Sequence, residues 1–99
     1  MIDLNKEEYV YLLIVRTQNK VGHLIDYNVV PFKSKKDVNH ALTNIIANNI
    51  KNNRDNISYI SYGGEDYCDG NPFAYAELEF KSGIAKSYEG IRRKIQEVK

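Results

Sequence analysis

An uninterrupted run of β-branched, aromatic and leucine side chains, Tyr9 to Thr17, constrains the fold of this chain more than any other segment. The run reads Tyr-Val-Tyr-Leu-Leu-Ile-Val-Arg-Thr and contains no residue that breaks a strand. Such a composition predicts a well-buried β-strand. Because the chain has 99 residues and 42% of them are hydrophobic, it can bury one core but not two. We therefore expect a single domain over residues 1–99.

The residues after this strand predict a hairpin and then a helix. Turn chemistry at 18–22 leads into a second strand, His23–Val30, which Pro31 ends. Ser34 is followed three residues later by Asp37, a pair that resembles a capping box and predicts the start of a helix. The apolar face of that helix consists of Val38, Ala41, Leu42, Ile45 and Ile46.

A second unit of the same order begins at residue 57. Ile57–Tyr62 predicts a strand, 63–72 a loop, and Phe73–Phe80 another strand. From Ser82 onward, apolar residues recur at spacings of four and three, which predicts a final helix. The apolar face of this helix would consist of Ile84, Tyr88, Ile91, Ile95 and Val98.

The predicted order is ββαββα, an α+β fold. We expect a four-stranded, mainly antiparallel sheet in the strand order 2-1-3-4, with both helices packed on one face. The triplet Phe-Lys-Ser recurs at 32–34 and 80–82, before each predicted helix, and a duplicated unit or chance explains it equally well. The helices should cover the face with Ile25, Val29, Leu78 and Phe80. The opposite face should show Asp26, Asn28, Tyr75, Glu77 and Glu79.

The first strand has apolar side chains on both of its faces, so one set must lie on the uncovered face of the sheet. That set is either Tyr9, Tyr11, Leu13 and Val15, or Val10, Leu12 and Ile14. An uncovered apolar set predicts contact with a partner or with a second subunit, so a homodimer is one expectation. The alternative is that the segment Ile2–Leu4 folds across it.

Composition limits the compartment and the partner. The formal net charge is only +1, which favours neither an acidic nor a strongly basic protein. The chain has no long apolar segment and one cysteine, so we expect a soluble protein in a reducing cytosol, without membrane contact. Asn, Ile and Lys fill 32 of the 99 positions, as expected for AT-rich codons of a bacterial host and its phages or plasmids.

Three kinds of chemistry find little support in the motifs. Glu65, Asp66, Asp69 and Asn71 lack the alternation and the closing Glu of a calcium loop. Cys68 has acidic neighbours that disfavour its thiolate, which argues against a thiol enzyme that pairs it with His23 or His40. Glycine loops that bind phosphate are absent from the sequence. We therefore expect no catalytic residue, metal or cofactor, and a small enzyme of unknown reaction remains the third hypothesis.

Basic residues support nucleic-acid binding as the second hypothesis. They gather at the start of the first predicted helix and along the last one, which favours the helix side of the domain over the sheet side. Carboxylates on the sheet face would repel a nucleic-acid backbone. The candidate contacts are Lys33, Lys35, Lys36, Arg92, Arg93 and Lys94.

Tyrosine content supports protein binding as the first hypothesis. The chain has eight tyrosines, and tyrosine supplies a large, rigid contact area at interfaces. The long acidic loop 63–72 suits a basic groove on a partner. We therefore expect a small non-enzymatic module, compatible with a phage or mobile-element inhibitor of a host factor, of the anti-defence or anti-CRISPR type. The candidate contacts are Tyr62, Glu65, Asp66, Tyr67, Asp69, Tyr11 and Tyr75.

Overall fold

The computed structural model describes residues 9–64 and 72–94, which form an α+β fold with a five-stranded antiparallel sheet and one α-helix. A single turn of 3₁₀ helix, Arg54–Asn56, follows the α-helix. The elements in chain order are β1 (Tyr9–Gln18), β2 (Leu24–Phe32), α1 (Lys35–Asn53), β3 (Ile57–Gly64), β4 (Ala74–Phe80) and β5 (Ala85–Lys94).

The strand order across the sheet is β2-β1-β5-β4-β3. The hairpin β1–β2 and the three-stranded meander β3–β4–β5 meet where β5 pairs with β1. Strands β1, β5 and β4 therefore lie inside the sheet, and β2 and β3 form its edges. The chain passes from one edge to the other through α1, which covers one face of the sheet. In the described ranges, no helix has the length and apolar character needed to cross a membrane.

Two tight turns depend on glycine. Gly22 closes the β1–β2 hairpin with a φ of 85°, and the side-chain oxygen of Asn19 accepts hydrogen bonds from the backbone N–H groups of Val21 and His23. Gly83 closes the β4–β5 hairpin with a φ of 95°. Both values lie in the left-handed region, where glycine avoids the steric cost of a Cβ.

Helix α1 begins where the sequence predicts. Ser34 has extended dihedral angles, and its hydroxyl oxygen accepts a hydrogen bond from the Asp37 N–H at 3.1 Å, which caps the first turn. Val38 and Leu42 are buried one turn apart and fix the face of the helix that meets the sheet.

The core lies between α1 and the covered face of the sheet. Its buried members on the sheet side come from β1, β4, β5 and the residue before β4. They are Leu13, Phe73, Ala74, Ala76, Leu78 and Tyr88. Burial of this layer is the main stabilising contribution, since no disulfide is available to a chain with one cysteine.

The predicted final helix is wrong: residues 85–94 form strand β5. The four-and-three spacing of Ile84, Tyr88 and Ile91 also fits a strand that buries side chains on both faces, because Tyr88 lies on the covered face and Ile91 on the opposite one. Gly83 and Gly90 argue against a helix, since glycine in a helix interior costs about 1 kcal/mol relative to alanine. Residues 95–99, with Ile95 and Val98, lie outside the described ranges.

The predicted strand number and strand order are wrong for the same reason. As a fifth strand, β5 pairs with both β1 and β4, so the predicted 2-1-3-4 contact between β1 and β3 does not form. Pro31 does not end β2, which continues to Phe32. Proline is tolerated there because β2 is an edge strand, where a missing N–H on the outer side removes no hydrogen bond to a neighbouring strand.

The prediction of which residues lie on each face was right for β4 and wrong for β2. Leu78 and Phe80 do face α1, whereas Val29 lies on the opposite face, and Ile25 lies at the register shift between β1 and β2. The register explains this, because Phe32 packs on the core and shares its face with Val30 and with the two polar residues Asn28 and Asp26. For β1, the uncovered set is Val10, Leu12 and Ile14. The segment Ile2–Leu4 lies outside the described residues.

Candidate protein-binding surface

The face of the sheet opposite α1, which we call the open face, has an apolar half and a polar half. The apolar half consists of side chains from β2 and β1, and the polar half of side chains from β4 and β3, with β5 between them. Its members are Tyr27, Val29, Pro31, Val10, Leu12, Ile14, Arg16, Ile91, Glu89, Ser87, Arg93, Tyr75, Glu77, Glu79, Tyr59 and Ser61, and Ile25 borders them at the register shift of β2.

The two edge strands contain the most exposed apolar side chains of the open face, three on β2 and Tyr59, 50% exposed, on β3. Eight of its nine residues are exposed. Ile25, Tyr27 and Val29, which we call the apolar strip, have 56%, 49% and 43% of their surface exposed. Toward the centre of the face, Ile14 and Ile91 are buried although they lie outside the core cluster. The aliphatic part of the exposed surface therefore lies at the β2 edge, while Tyr59 and Tyr75 are the exposed rings of the other half.

The backbone edge of β2 is partly blocked. The Tyr27 N–H donates a hydrogen bond of 3.0 Å to the Asp26 carboxylate, and Pro31 has no N–H to donate. Backbone groups alternate in direction along a strand, and residues 27 and 31 are four positions apart, so the backbone groups of both point away from β1. A partner strand that paired with the β2 edge would find the Tyr27 N–H already bonded and no N–H at Pro31. This favours a partner that contacts the side chains of β2 over one that adds a strand to the sheet.

Arg16 links the apolar strip to the centre of the open face. Its guanidinium lies 5.6 Å from the centre of the Tyr27 ring, and its Nη1 lies 3.3 Å from Glu89 Oε1. These contacts join β2, β1 and β5. Because both ionic side chains are about one-third exposed, the pair adds little to stability, on the order of 0–1 kcal/mol.

The polar half of the open face is acidic. Glu77 and Glu79 are exposed on β4, and Glu89 lies on β5 directly opposite Tyr75. We call Glu77, Glu79 and Glu89 the acidic strip. A shallow groove of about 280 Å³ runs between β4 and β5, where Tyr75, Glu77, Ser87 and Glu89 line it. The arrangement places carboxylates beside an aromatic ring, which suits a cationic side chain.

The predicted partner-binding tyrosines lie on different surfaces. Tyr75 is on the open face, where its hydroxyl lies over Gly63. Tyr62 is exposed but lies on the α1 side of edge strand β3. Tyr11 packs against the core, with its ring 6.2 Å from that of Phe73 in an edge-to-face arrangement. The predicted contacts Glu65, Asp66, Tyr67 and Asp69 lie outside the described residues.

The predicted nucleic-acid contacts converge at one end of the sheet, although the last three are on a strand and not on a helix. Phe32 and Arg92 flank Tyr11 in the register, which brings the start of α1 close to the end of β5. The Arg92 guanidinium lies 3.9 Å from the centre of the Tyr9 ring, and Lys35 Nζ lies 5.5 Å from that of Phe73. This basic end consists of Lys33, Lys35, Lys36, Arg92, Arg93 and Lys94.

The two histidines lie apart from one another in the fold. His23 is exposed in the β1–β2 turn and His40 is exposed on α1, while Cys68 lies outside the described residues. Within the described ranges, no group of three or more His, Cys, Asp or Glu side chains could hold a metal ion. Burial raises the pKa of the Tyr88 hydroxyl, which belongs to the core.

Sequence reasoning missed the exposed apolar strip because it assigned Ile25 and Val29 to the covered face. Pro31 was the available signal: a proline inside a strand pattern indicates an edge strand, whose side chains are less enclosed than those of a central strand. Comparisons of the chain with protein-family models, with curated proteins and with solved structures found no match.

Proposed function

We propose that this chain is a non-enzymatic protein-binding module that acts by occupying a partner's surface with the open face of its sheet. The exposed apolar strip of Ile25, Tyr27 and Val29 supports this function best. Apolar side chains on an exposed edge strand favour aggregation unless a partner covers them, so their presence favours a binding role.

Tyr27 is the expected anchor of the interface. A tyrosine buries a large rigid ring at a low entropic cost and keeps a polar tip for hydrogen bonding. The cation–π contact of Arg16 with this ring, at 5.6 Å, would favour one orientation of the ring before a partner arrives. Such preorganisation lowers the entropic cost of association.

Within this proposal the partner is a host factor, and the module is a phage or mobile-element inhibitor of the anti-defence or anti-CRISPR type. Small size, the bias toward Asn, Ile and Lys, and the tyrosine content are compatible with that role. An inhibitor that acts by occupancy needs an exposed surface but no catalytic group. The exposure of His23 and His40 on separate elements is in keeping with a binding role.

The strand itself offers a matched pair of variants for the test. Val29 and Val30 are neighbours with the same 43% exposure, but Val29 lies on the open face and Val30 on the α1 side. Valine to threonine keeps the shape and the β-branching while it adds a hydroxyl. We expect Tyr27→Thr with Val29→Thr to abolish capture of a partner from bacterial lysate, and Val30→Thr to preserve it.

Equal capture by both variants would contradict the proposal, as would a lysate that yields no protein partner for the unmodified chain. The expected loss is at least tenfold in affinity, because truncation of an interface hot spot typically costs about 2 kcal/mol or more. The thermal midpoints of all variants should be compared first, so that unfolding does not imitate the loss.

Nucleic-acid binding is the second candidate, favoured by the convergence of six basic residues at one end of the sheet. Arg92 and Lys35 already contact aromatic rings there, an arrangement that stacked bases also use. A salt titration separates this candidate from the first. Steep loss of RNA or DNA binding with salt, together with its abolition by Arg92→Glu and Arg93→Glu, would favour nucleic acid.

A further inference from the structure

We infer that the partner is a protein whose docking surface carries apolar side chains bordered by arginine or lysine, and that these cations contact the acidic strip of Glu77, Glu79 and Glu89. The inference rests on the proposed function and adds the chemistry of the partner. The apolar strip and the acidic strip lie on one face of one sheet, so a single docking surface would meet both.

Charge is unevenly divided between the two sides of the sheet. The described carboxylates are those of Asp26, Asp37, Asp55, Glu77, Glu79 and Glu89, and the last three lie on the open face. Of the described Lys and Arg residues, only Arg16 and Arg93 lie on that face, while the others are on the α1 side or in turns. A chain with a net charge near zero therefore has a locally acidic open face.

Glu77 and Glu79 are available to an incoming cation. The Arg16–Glu89 contact is the one ion pair recorded between two described residues, so neither β4 carboxylate is neutralised within that part of the chain. Glu77 lies opposite Ser87 and lines the groove with Tyr75 and Glu89. An arginine there would find carboxylate oxygens to accept its N–H bonds and an aromatic ring beside its guanidinium plane.

The same charges disfavour two other occupants of the open face. A nucleic-acid backbone would be repelled by the acidic strip. A second copy of this chain would bring its own acidic strip, and its Arg16 is already engaged with Glu89 and Tyr27. A basic protein surface would contact the acidic strip without charge repulsion. Electrostatic complementarity of this kind mainly increases the specificity and the rate of association.

The test uses a library of random dodecapeptides displayed on phage, selected against the immobilised full chain at low and at moderate salt. We expect the enriched peptides to combine apolar residues with arginine or lysine. Synthetic copies of these peptides should bind at least tenfold more weakly to a Glu77→Gln, Glu79→Gln variant. The control is Asp55→Asn, which removes an exposed carboxylate away from the open face and should leave the affinity unchanged.

The outcomes separate this inference from the proposed function. Enriched peptides without cations, which lose affinity on Tyr27→Thr but not on the glutamate changes, would overturn the inference and leave the module intact. Acidic peptides that bind the basic end and are insensitive to changes on the open face would overturn both, as would a selection that enriches no sequence. Self-association of the unmodified chain in light scattering, abolished by Tyr27→Thr, would identify a second copy as the occupant and overturn the basic-partner inference.

Discussion

Gly90 lies on β5 where Val38 of α1 and the ring of Phe73 pack against the sheet. A Cβ placed on this residue would lie 3.0 Å from Val38 Cγ1 and 3.1 Å from two ring atoms of Phe73. Real Cβ atoms rarely come so close, so either the helix or the Phe73 ring would have to shift. The absence of a side chain at position 90 therefore lets α1 and Phe73 pack directly on β5.

We expect Gly90→Ala to lower the free energy of unfolding by about 1–3 kcal/mol, the usual cost of overpacking a well-filled core. Chemical denaturation with a constant m-value measures this loss. Ser87→Ala, on the open face of the same strand, should change stability by no more than about 0.5 kcal/mol. A Gly90→Ala variant as stable as the unmodified chain would show that the helix does not approach β5 this closely.

Tyr88 predicts a specific alkaline destabilisation. Burial raises the pKa of its hydroxyl above the ordinary value of about 10, so the folded chain holds this proton at pH values where the unfolded chain has lost it. Stability should therefore fall as pH rises above about 10. Tyr88→Phe should reduce that fall, whereas Tyr59→Phe, which changes an exposed tyrosine, should not. Identical pH profiles for the two variants would contradict the buried position of Tyr88.

At the scale of elements, the sequence predicted β1, β2, α1, β3 and β4 to within a few residues, and misassigned β5. The triplet Phe-Lys-Ser shows why local sequence was insufficient. At 32–34 it leads into a helix that Ser34 caps, whereas at 80–82 it leads into a hairpin because Gly83 follows with a positive φ. The spacing of Tyr88 and Ile91 was ambiguous, and their burial on opposite faces depends on tertiary contacts that no local pattern contains.

The candidate surface was only partly predictable for a related reason. Alternation correctly placed Tyr27 and Val29 on one face, but the face that α1 covers depends on the register between β1 and β2. The pairing of Leu13 with Val30 decides which face of β2 the helix covers. No pattern within either strand alone predicts that pairing.

Edge and central strands should respond differently to proline. Ser87→Pro introduces proline into β5, which pairs on both sides, so we expect a loss of about 3 kcal/mol or more, or no folding. Val29 lies two residues before Pro31 on β2, so its backbone groups also point away from β1. Val29→Pro should therefore lower the free energy of unfolding much less. Circular dichroism and denaturant melts measure both. Equal losses would contradict the assignment of β5 to the interior of the sheet.

At the scale of the whole molecule, the fold separates its surfaces by chemistry. One layer of core joins α1 to the sheet, the open face combines an apolar edge with an acidic strip, and the basic residues gather at one end. This separation lets a small chain with a net charge near zero present distinct surfaces to a protein and to an anion. Of these surfaces, the open face is the one that we propose binds a protein.

Hydrogen–deuterium exchange of the free chain and of the chain bound to its captured partner tests this assignment most directly. We expect slower exchange on binding for peptides of β2, because a partner on the apolar strip would cover this edge strand, and little change in β3, the other edge strand. Protection confined to residues 33–36 and 92–94, with β2 unchanged, would contradict it and would transfer the binding role to the basic end.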